Sequence, residues 1–402
     1  MATLPSVPEA GPEALPLQST PSTGLFARWR DALQHWATQR VASPAFRRWA
    51  ERFPLTRPIA RRRASQLFDL VAGFSYSQVL LACVQLKLFD RLAQGAATAE
   101  ALAPALHLPL EACRRLLDAA VALRLLARRQ HGPLPAVYRL GPLGAPMVGN
   151  AAIAAMVQHH QLLYADLADP LALLRAPPGQ GDLARYWAYA RSPQPHTLAP
   201  AQVADYSALM AASQPLVADQ ILDAYPLQRH QCLMDVGGGE GVFAAAAGQR
   251  WPHLQLLVFD LPEVARRAQG RLAALGLSGR ATAVGGDFCS DALPSGADVI
   301  SLVRVVHDHD DHRVLALLQA VRRALPPHGV LLLAEPMAGT AGAQAMGDAY
   351  FGLYLWAMGS GQPRSVARLG ALLQAAGFGP PRLLHTTMPL QTQVLLARPA
   401  AG

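Results

Sequence analysis

Three groups of residues in this chain have the types and spacing to do chemistry. The first is Asp235-Val-Gly-Gly-Gly-Glu-Gly241, where Gly237, Gly239 and Gly241 alternate just past an apolar run at 232–236. Glycines there permit torsions that other residues resist and let a ligand approach the main chain. The second is Asp260, which closes the next apolar run at 254–259. Ligands of open α/β sheets bind at the carboxyl ends of strands, so this carboxylate stands beside the glycine turn, where it can accept both hydroxyls of a ribose. The third is His307, delivered by the run 299–303 within Arg304-Val-Val-His-Asp-His-Asp-Asp-His312. A histidine at the end of a central strand, opposite such a turn, is placed to act as a general base.

The glycine spacing narrows the ligand. A dinucleotide site carries G-x-G-x-x-G with a helix N-terminus on the pyrophosphate. Here the spacing is G-x-G-x-G, and Val242 follows. A free Glu240 carboxylate would repel a pyrophosphate, whereas acidic neighbours favour S-adenosylmethionine (SAM), a sulfonium cofactor without phosphates. Gly286-Asp287-Phe288, after a run at 281–284, offers Asp287 to an adenine amino group and Phe288 to the ring face. The His/Asp cluster keeps a metal reading open, because His307 with Asp311, and Asp308 with His312, stand at i and i+4. The preferred reading has no metal: His307 faces the cleft while Asp308, Asp310 and Asp311 favour the start of the next helix.

These groups need a scaffold. Apolar runs at 232–236, 254–259, 299–303 and 330–334 alternate with helical stretches. That alternation predicts an α/β domain of the Rossmann-like kind, an open, mostly parallel sheet with helices on both faces. Segments 382–387 and 393–397, joined by a proline-containing turn, read as an antiparallel edge hairpin. Upstream, residues 66–130 carry helical periodicity, with Thr98 capping a short helix to Leu106 and a second helix over 110–123. Two short strands, 125–129 and 137–140, complete a winged-helix pattern. Its second helix sets Arg114 and Arg115 against Glu111 and Asp118. That is a poor footprint for a phosphate backbone, so protein packing is expected and nucleic acid is not. Residues 150–230 read as mostly helical, with loops at 177–179 and 192–195.

Composition sets outer bounds. The 402 residues have room for two or three domains, placed here at 1–63, 64–200 and 201–402. Lys87 is the only lysine, and no glycine-rich loop precedes it. A Walker phosphate loop and a pyridoxal Schiff base both need a lysine, which disfavours both. Before residue 64 ten arginines face four carboxylates, so most of the +8 charge lies in that arm. Arginine there interleaves with Phe26, Trp29, Trp36, Phe46, Trp49 and Phe53. Two readings of the arm stand: a solvated basic helix pair, or a peripheral contact with an anionic membrane. Cys83, Cys113, Cys232 and Cys289 form no metal spacing, and no apolar leader opens the chain, so reduced thiols and a cytoplasmic location are expected. No uninterrupted apolar run reaches the roughly 18 residues of a spanning helix.

From residue 66 onward the motifs Asp235-Val-Gly-Gly-Gly-Glu-Gly, Phe259-Asp-Leu-Pro, Gly286-Asp-Phe, His307-Asp and Ala334-Glu-Pro resemble those of one family, in order and spacing. It is the metal-independent, SAM-dependent O-methyltransferases with an N-terminal winged-helix dimerisation domain. The resemblance implies that Gly237 and Gly239 contact SAM, Asp260 its ribose, and Asp287 with Phe288 its adenine. Arg304 would be the basic contact, His307 the general base and Glu335 the group that orients it. A homodimer is implied too. Where the family has a second glutamate near the base and an asparagine facing the substrate, this chain has Pro363 and Met358. Both departures remove polar groups. With Tyr350, Phe351, Leu353, Tyr354, Leu355 and Trp356 nearby, they suggest an apolar acceptor and resemble the family's bacterial carotenoid branch most.

Overall fold

The computed structural model describes residues 25–130, 132–187, 207 and 209–400, and the chain divides into two compact units after Gln78. In the first unit the arm forms helices Leu25–Ala42 and Pro44–Arg52, then enters the helix Arg57–Gln85. The boundary expected at residue 63 therefore falls inside a continuous helix. Arginine is a good helix former, Pro58 sits harmlessly in the first turn, and no proline follows it before residue 85. The helix contains an 18-residue window of mean hydropathy 1.6, long and apolar enough by composition to cross a membrane, although 17% of that window is buried. The boundary expected at residue 200 lies outside the described residues.

In the second unit Cys83, Val84, Leu88 and Phe89 enter a core with Leu102, Cys113, Leu117 and Leu126. Lys87, at φ 50°, turns the chain into the helix Leu88–Ala93. Thr98 caps the helix Ala99–Ala105 by accepting from Ala101 N at 3.3 Å. After the helix Leu110–Ala122 come β2 (Leu126–Arg129) and β3 (Val137–Leu140), and β1 (Ala97–Thr98), from before the helices, joins them in the order β1-β3-β2. The two-residue β1 was not evident in the sequence. Arg114 pairs with Glu100 at 2.6 Å and Arg128 with Asp118 at 3.0 Å, so these guanidiniums are balanced by carboxylates.

The larger sheet has seven strands: β4 (Cys232–Val236), β5 (Gln255–Asp260), β6 (Ala281–Gly285), β7 (Val299–Val303), β8 (Val330–Glu335), β9 (Arg382–Leu384) and β10 (Gln393–Ala397). Its order is β6-β5-β4-β7-β8-β10-β9, parallel except for β10 and β9. Every residue of β7 and β8 is buried, which is why they read as unbroken apolar runs rather than alternating ones. One core, around Phe243, Leu256 and Leu332, fills one face, and a second, around Phe259, Leu317 and Leu373, fills the other. The chain runs outward from β4 through β5 to β6, and outward the other way from β7 to β8. The crevice at their carboxyl ends is the topological switch point where such sheets bind ligands.

Candidate active site

The turn after β4 is built by glycines for a steric reason. Gly237 has φ 66°, and a Cβ there would lie 2.7 Å from Val305 Cγ2, so only glycine lets this turn pack on the loop after β7. Gly237 N donates to Phe259 O at 2.8 Å. Gly239 N donates to Asp260 Oδ2 at 2.7 Å, and Leu261 N to Asp260 Oδ1 at 2.7 Å. The carboxylate thus fixes the turn while standing at its rim. Burial pushes its pKa up to about 6, against the pull of these two donors. Beneath them Asp235 is fully buried and accepts from Ser301 Oγ on β7 at 2.6 Å, tying the two strands of the switch point together.

Gly237, Gly239, Asp260, Asp287, Phe288 and Arg304 all line one cleft of about 900 Å³, open to solvent. Phe288 stands edge-on to His309, with ring centroids 5.3 Å apart. Arg304 has φ 58°, a strained value for a residue with a side chain, of a kind that clusters at functional sites. Its backbone N donates to Ala334 O at 2.9 Å and its guanidinium to Ser213 Oγ at 2.8 Å. An exposed main chain, two rim carboxylates and a flat ring fit a cationic nucleoside cofactor.

His307 and Glu335 are buried beside the cleft rather than in its lining. His307 sits on the single turn Val306–Asp308. Its Nδ1 meets Glu335 Oε2, and its Nε2 lies 3.2 Å from Asp308 Oδ1. The other Glu335 oxygen accepts from Val305 N at 3.0 Å and Val306 N at 2.6 Å, so one carboxylate holds both the ring and its loop. Burial pulls the imidazole down, but the charges of Asp308 and Glu335 outweigh it and raise the pKa above the ordinary 6.5.

Comparisons with known proteins identify the family. Residues 181–379 match the O-methyltransferase domain model, and residues 68–149 the O-methyltransferase dimerisation domain. The demethylspheroidene O-methyltransferase of Cereibacter sphaeroides is 42% identical over 93% of this chain and 97% of its own. The chain belongs to the SAM-dependent O-methyltransferases. The demethylspheroidene enzyme of Rhodobacter capsulatus is 39% identical over 86% of this methyltransferase and 85% of its own chain. The crystal structure of human N-acetylserotonin methyltransferase in complex with SAM shares the fold at 24% identity, with a TM-score of 0.70 over 84% of this chain and 98% of that one. The dimerisation-domain match supports a homodimer.

Two expectations about this methyltransferase need correction, and one alternative falls with them. Glu240 is not a free carboxylate: it faces Arg271 at 3.4 Å and Arg267 at 3.7 Å. Asp308 does not serve the next helix, because the chain bends before Asp311 and turns that carboxylate to His307. The i, i+4 metal pairing fails for the same reason. Asp311 starts the helix Asp311–Ala324 and pairs with Arg364 at 2.7 Å and with Arg368. Among the described residues no group of three His, Cys, Asp or Glu side chains could hold a metal.

The structure also adds residues that the sequence concealed. Buried Arg364 donates to Val306 O at 2.9 Å, His309 O at 2.6 Å and Asp311 Oδ1 at 2.7 Å, stapling the loop that carries His307. Gly361, at φ 80°, packs where a Cβ would come within 2.0 Å of His307 O. Of the apolar acceptor-side candidates, Tyr354, Leu355 and Met358 are buried, whereas Trp356 is partly exposed and donates to Leu173 O at 3.0 Å. Pro363, expected in place of a family glutamate, lies between Gln362, whose N donates to His307 O at 3.0 Å, and Arg364.

Proposed function

We propose that this methyltransferase methylates the hydroxyl of a hydroxylated carotenoid of the demethylspheroidene type. The 42% identity to the Cereibacter sphaeroides enzyme, spanning nearly both chains, carries that reading. The buried wall of Tyr354, Leu355 and Met358, apolar where the family places a polar residue, supports it. When bound, SAM supplies a methyl group open to in-line displacement by the acceptor oxygen. Gly237 and Gly239 bring the main chain against the cofactor, Asp260 accepts from its ribose hydroxyls, and Asp287 with Phe288 takes the adenine. Arg304 provides the basic contact.

His307 takes the acceptor's proton, and Glu335 fixes the imidazole for that task. An imidazole cannot pre-form an alkoxide from an aliphatic alcohol, so the proton leaves as the new C–O bond forms. The protein's main contribution is therefore positioning, for which effective molarities correspond to about 7–11 kcal/mol. Incubation with labelled SAM and a panel of hydroxylated carotenoids, phenols and polyketides tests the acceptor. Label entering the carotenoids is expected; label entering phenols alone overturns the carotenoid assignment.

A polyene alcohol dissolves in bilayers, and the arm suits that setting. Trp29, Trp36 and Trp49 are at least half exposed among arginines, and Trp49 stacks on Phe53 at 5.0 Å. The arm lies on an anionic membrane surface with these rings at headgroup depth. The exposed face Leu67, Leu70, Val71 and Phe74 begins where the dimerisation match begins and packs on the second copy. Flotation should bring the protein up with anionic vesicles but not with neutral ones, and serine at the three tryptophans should abolish it. Equal flotation with both vesicle types refutes the electrostatic contact.

A further inference from the structure

Beside His307 lies a set of buried and half-buried aromatic and imidazole groups drawn from distant parts of the chain. Phe351 stands edge-on to His307 at 5.7 Å, and Tyr350 edge-on to Phe351 at 4.9 Å. Tyr350 ends a π-helical stretch, Ala345–Tyr350, a distortion that is frequent at functional sites. Two histidines of the helix Ala151–Asp166 meet the tyrosines: His159 Nε2 lies 2.6 Å from Tyr354 Oη, and His160 Nε2 lies 2.7 Å from Tyr350 Oη.

The two pairs are not equivalent. Trp187 Nε1, which can only donate, gives its hydrogen to Tyr354 Oη at 2.7 Å. The Tyr354 hydroxyl then donates to His159, and its bonding is complete on both sides. Tyr350 Oη has no partner among the described residues except His160. If His160 donates to it, the phenolic hydrogen is left over; if His160 accepts, the oxygen lone pairs are. In either tautomer one hydrogen-bonding position of Tyr350 stays open, on a ring that Phe351 links to His307. Burial lowers both imidazoles, His159 to about 4, and raises both phenols, so these four side chains carry no charge at neutral pH.

We propose that the Tyr350 hydroxyl, positioned by His160, is a second hydrogen-bond contact for the acceptor oxygen, and that it selects a neutral alcohol. This rests on the methyl-transfer reading above. An alcohol oxygen has one hydrogen and two lone pairs. His307 takes the hydrogen, one lone pair attacks the methyl carbon, and Tyr350 O–H donates to the other, with His160 Nε2–H behind it. The polar groups missing at Pro363 and Met358 are thereby replaced from a different element.

The test compares wild type with Tyr350→Phe and Tyr354→Phe, using SAM and a hydroxylated carotenoid of the demethylspheroidene type in detergent micelles. Tyr350→Phe should lose about tenfold in acceptor kcat/KM, the change expected for one hydrogen bond of about 1.4 kcal/mol. SAM affinity should stay at the wild-type value, and the melting temperature should fall by less than in Tyr354→Phe, because only His160 loses its partner. Inhibition by the same polyene lacking its hydroxyl should be equal in wild type and Tyr350→Phe, because no oxygen is present to be held. His160→Gln should retain more turnover than His160→Leu. Tyr354→Phe should lower the melting temperature further.

Unchanged kcat/KM in Tyr350→Phe overturns the proposal, as does a parallel loss of SAM affinity and stability. If wild type leaves the carotenoid unmethylated, the acceptor assignment fails on its own. The same variants are then compared on a phenol that wild type does methylate. Wild-type turnover by Tyr350→Phe there overturns the oxygen contact, and a tenfold loss supports it.

Discussion

The two halves of the active site are made in opposite ways. The cofactor half is backbone: Gly237 and Gly239 with the rims of adjacent strands, held by main-chain donors to Asp260 and by one buried pair, Asp235 with Ser301. The acceptor half is side chains, with His160 and Tyr350 coming from positions 190 residues apart. A turn that depends on glycine sterics tolerates little change and binds one cofactor. A wall of neutral aromatic and imidazole groups can be re-lined, so acceptor choice can change while the donor stays the same.

If the halves are separable, substitutions should split cleanly between turnover and cofactor affinity. The largest effect is expected at His307: His307→Ala should lose about 10²–10⁴-fold in kcat, the usual contribution of a general base. SAM affinity measured by calorimetry should hold. Near-normal turnover would remove His307 from the mechanism. Next comes Asp260→Ala, which should weaken SAM binding about ten- to a hundredfold, as expected for losing hydrogen bonds to a charged group. It also strands Gly239 N and Leu261 N, so the melting temperature should fall. Unaltered SAM affinity would break the comparison, because the cofactor half would not depend on the rim it is built around.

A smaller effect concerns pH. The base must be neutral to accept a proton, and the His307 pKa lies above 6.5. The rate of wild type should therefore rise with pH through an inflection above the ordinary histidine value. Asp308→Asn removes one of the charges that raise it, so the inflection should move to lower pH whatever the plateau rate. An inflection at or below 6.5 in wild type would mean that burial outweighs the pull of the two carboxylates on the ring.

The same contrast explains what could be read from the chain. β5 ends in Asp260, while β4 and β7 lead into the glycine turn and the His307 loop, so spacing put Asp260 and His307 at the carboxyl edge of the sheet. Glu335 entered only through the resemblance of Ala334-Glu-Pro to a family motif. Arg364 was not legible: three of its acceptors are carbonyls of the His307 loop and a helix-start aspartate more than 50 residues away, and no local pattern signals them. Nor was the His160–Tyr350 pair, since a histidine on a helix reads as an ordinary core residue until its partner is known. The end drawn for the arm at residue 63 falls within the helix Arg57–Gln85, where composition changes but the backbone does not.

Glu240 offers the smallest effect and the finest test of the cofactor half. Its position in the glycine turn suggested a charge aimed at the cofactor, yet it pairs with Arg267 and Arg271 of the helix Pro262–Ala274. Pairs this long, with both guanidiniums partly exposed, contribute about 0–1 kcal/mol. Glu240→Gln should therefore change SAM affinity by no more than about twofold, while Asp260→Ala changes it greatly. A tenfold loss in Glu240→Gln would show the carboxylate leaving its arginines for the sulfonium. Recognition would then depend on a mobile charge rather than on fixed backbone and the Asp260 rim.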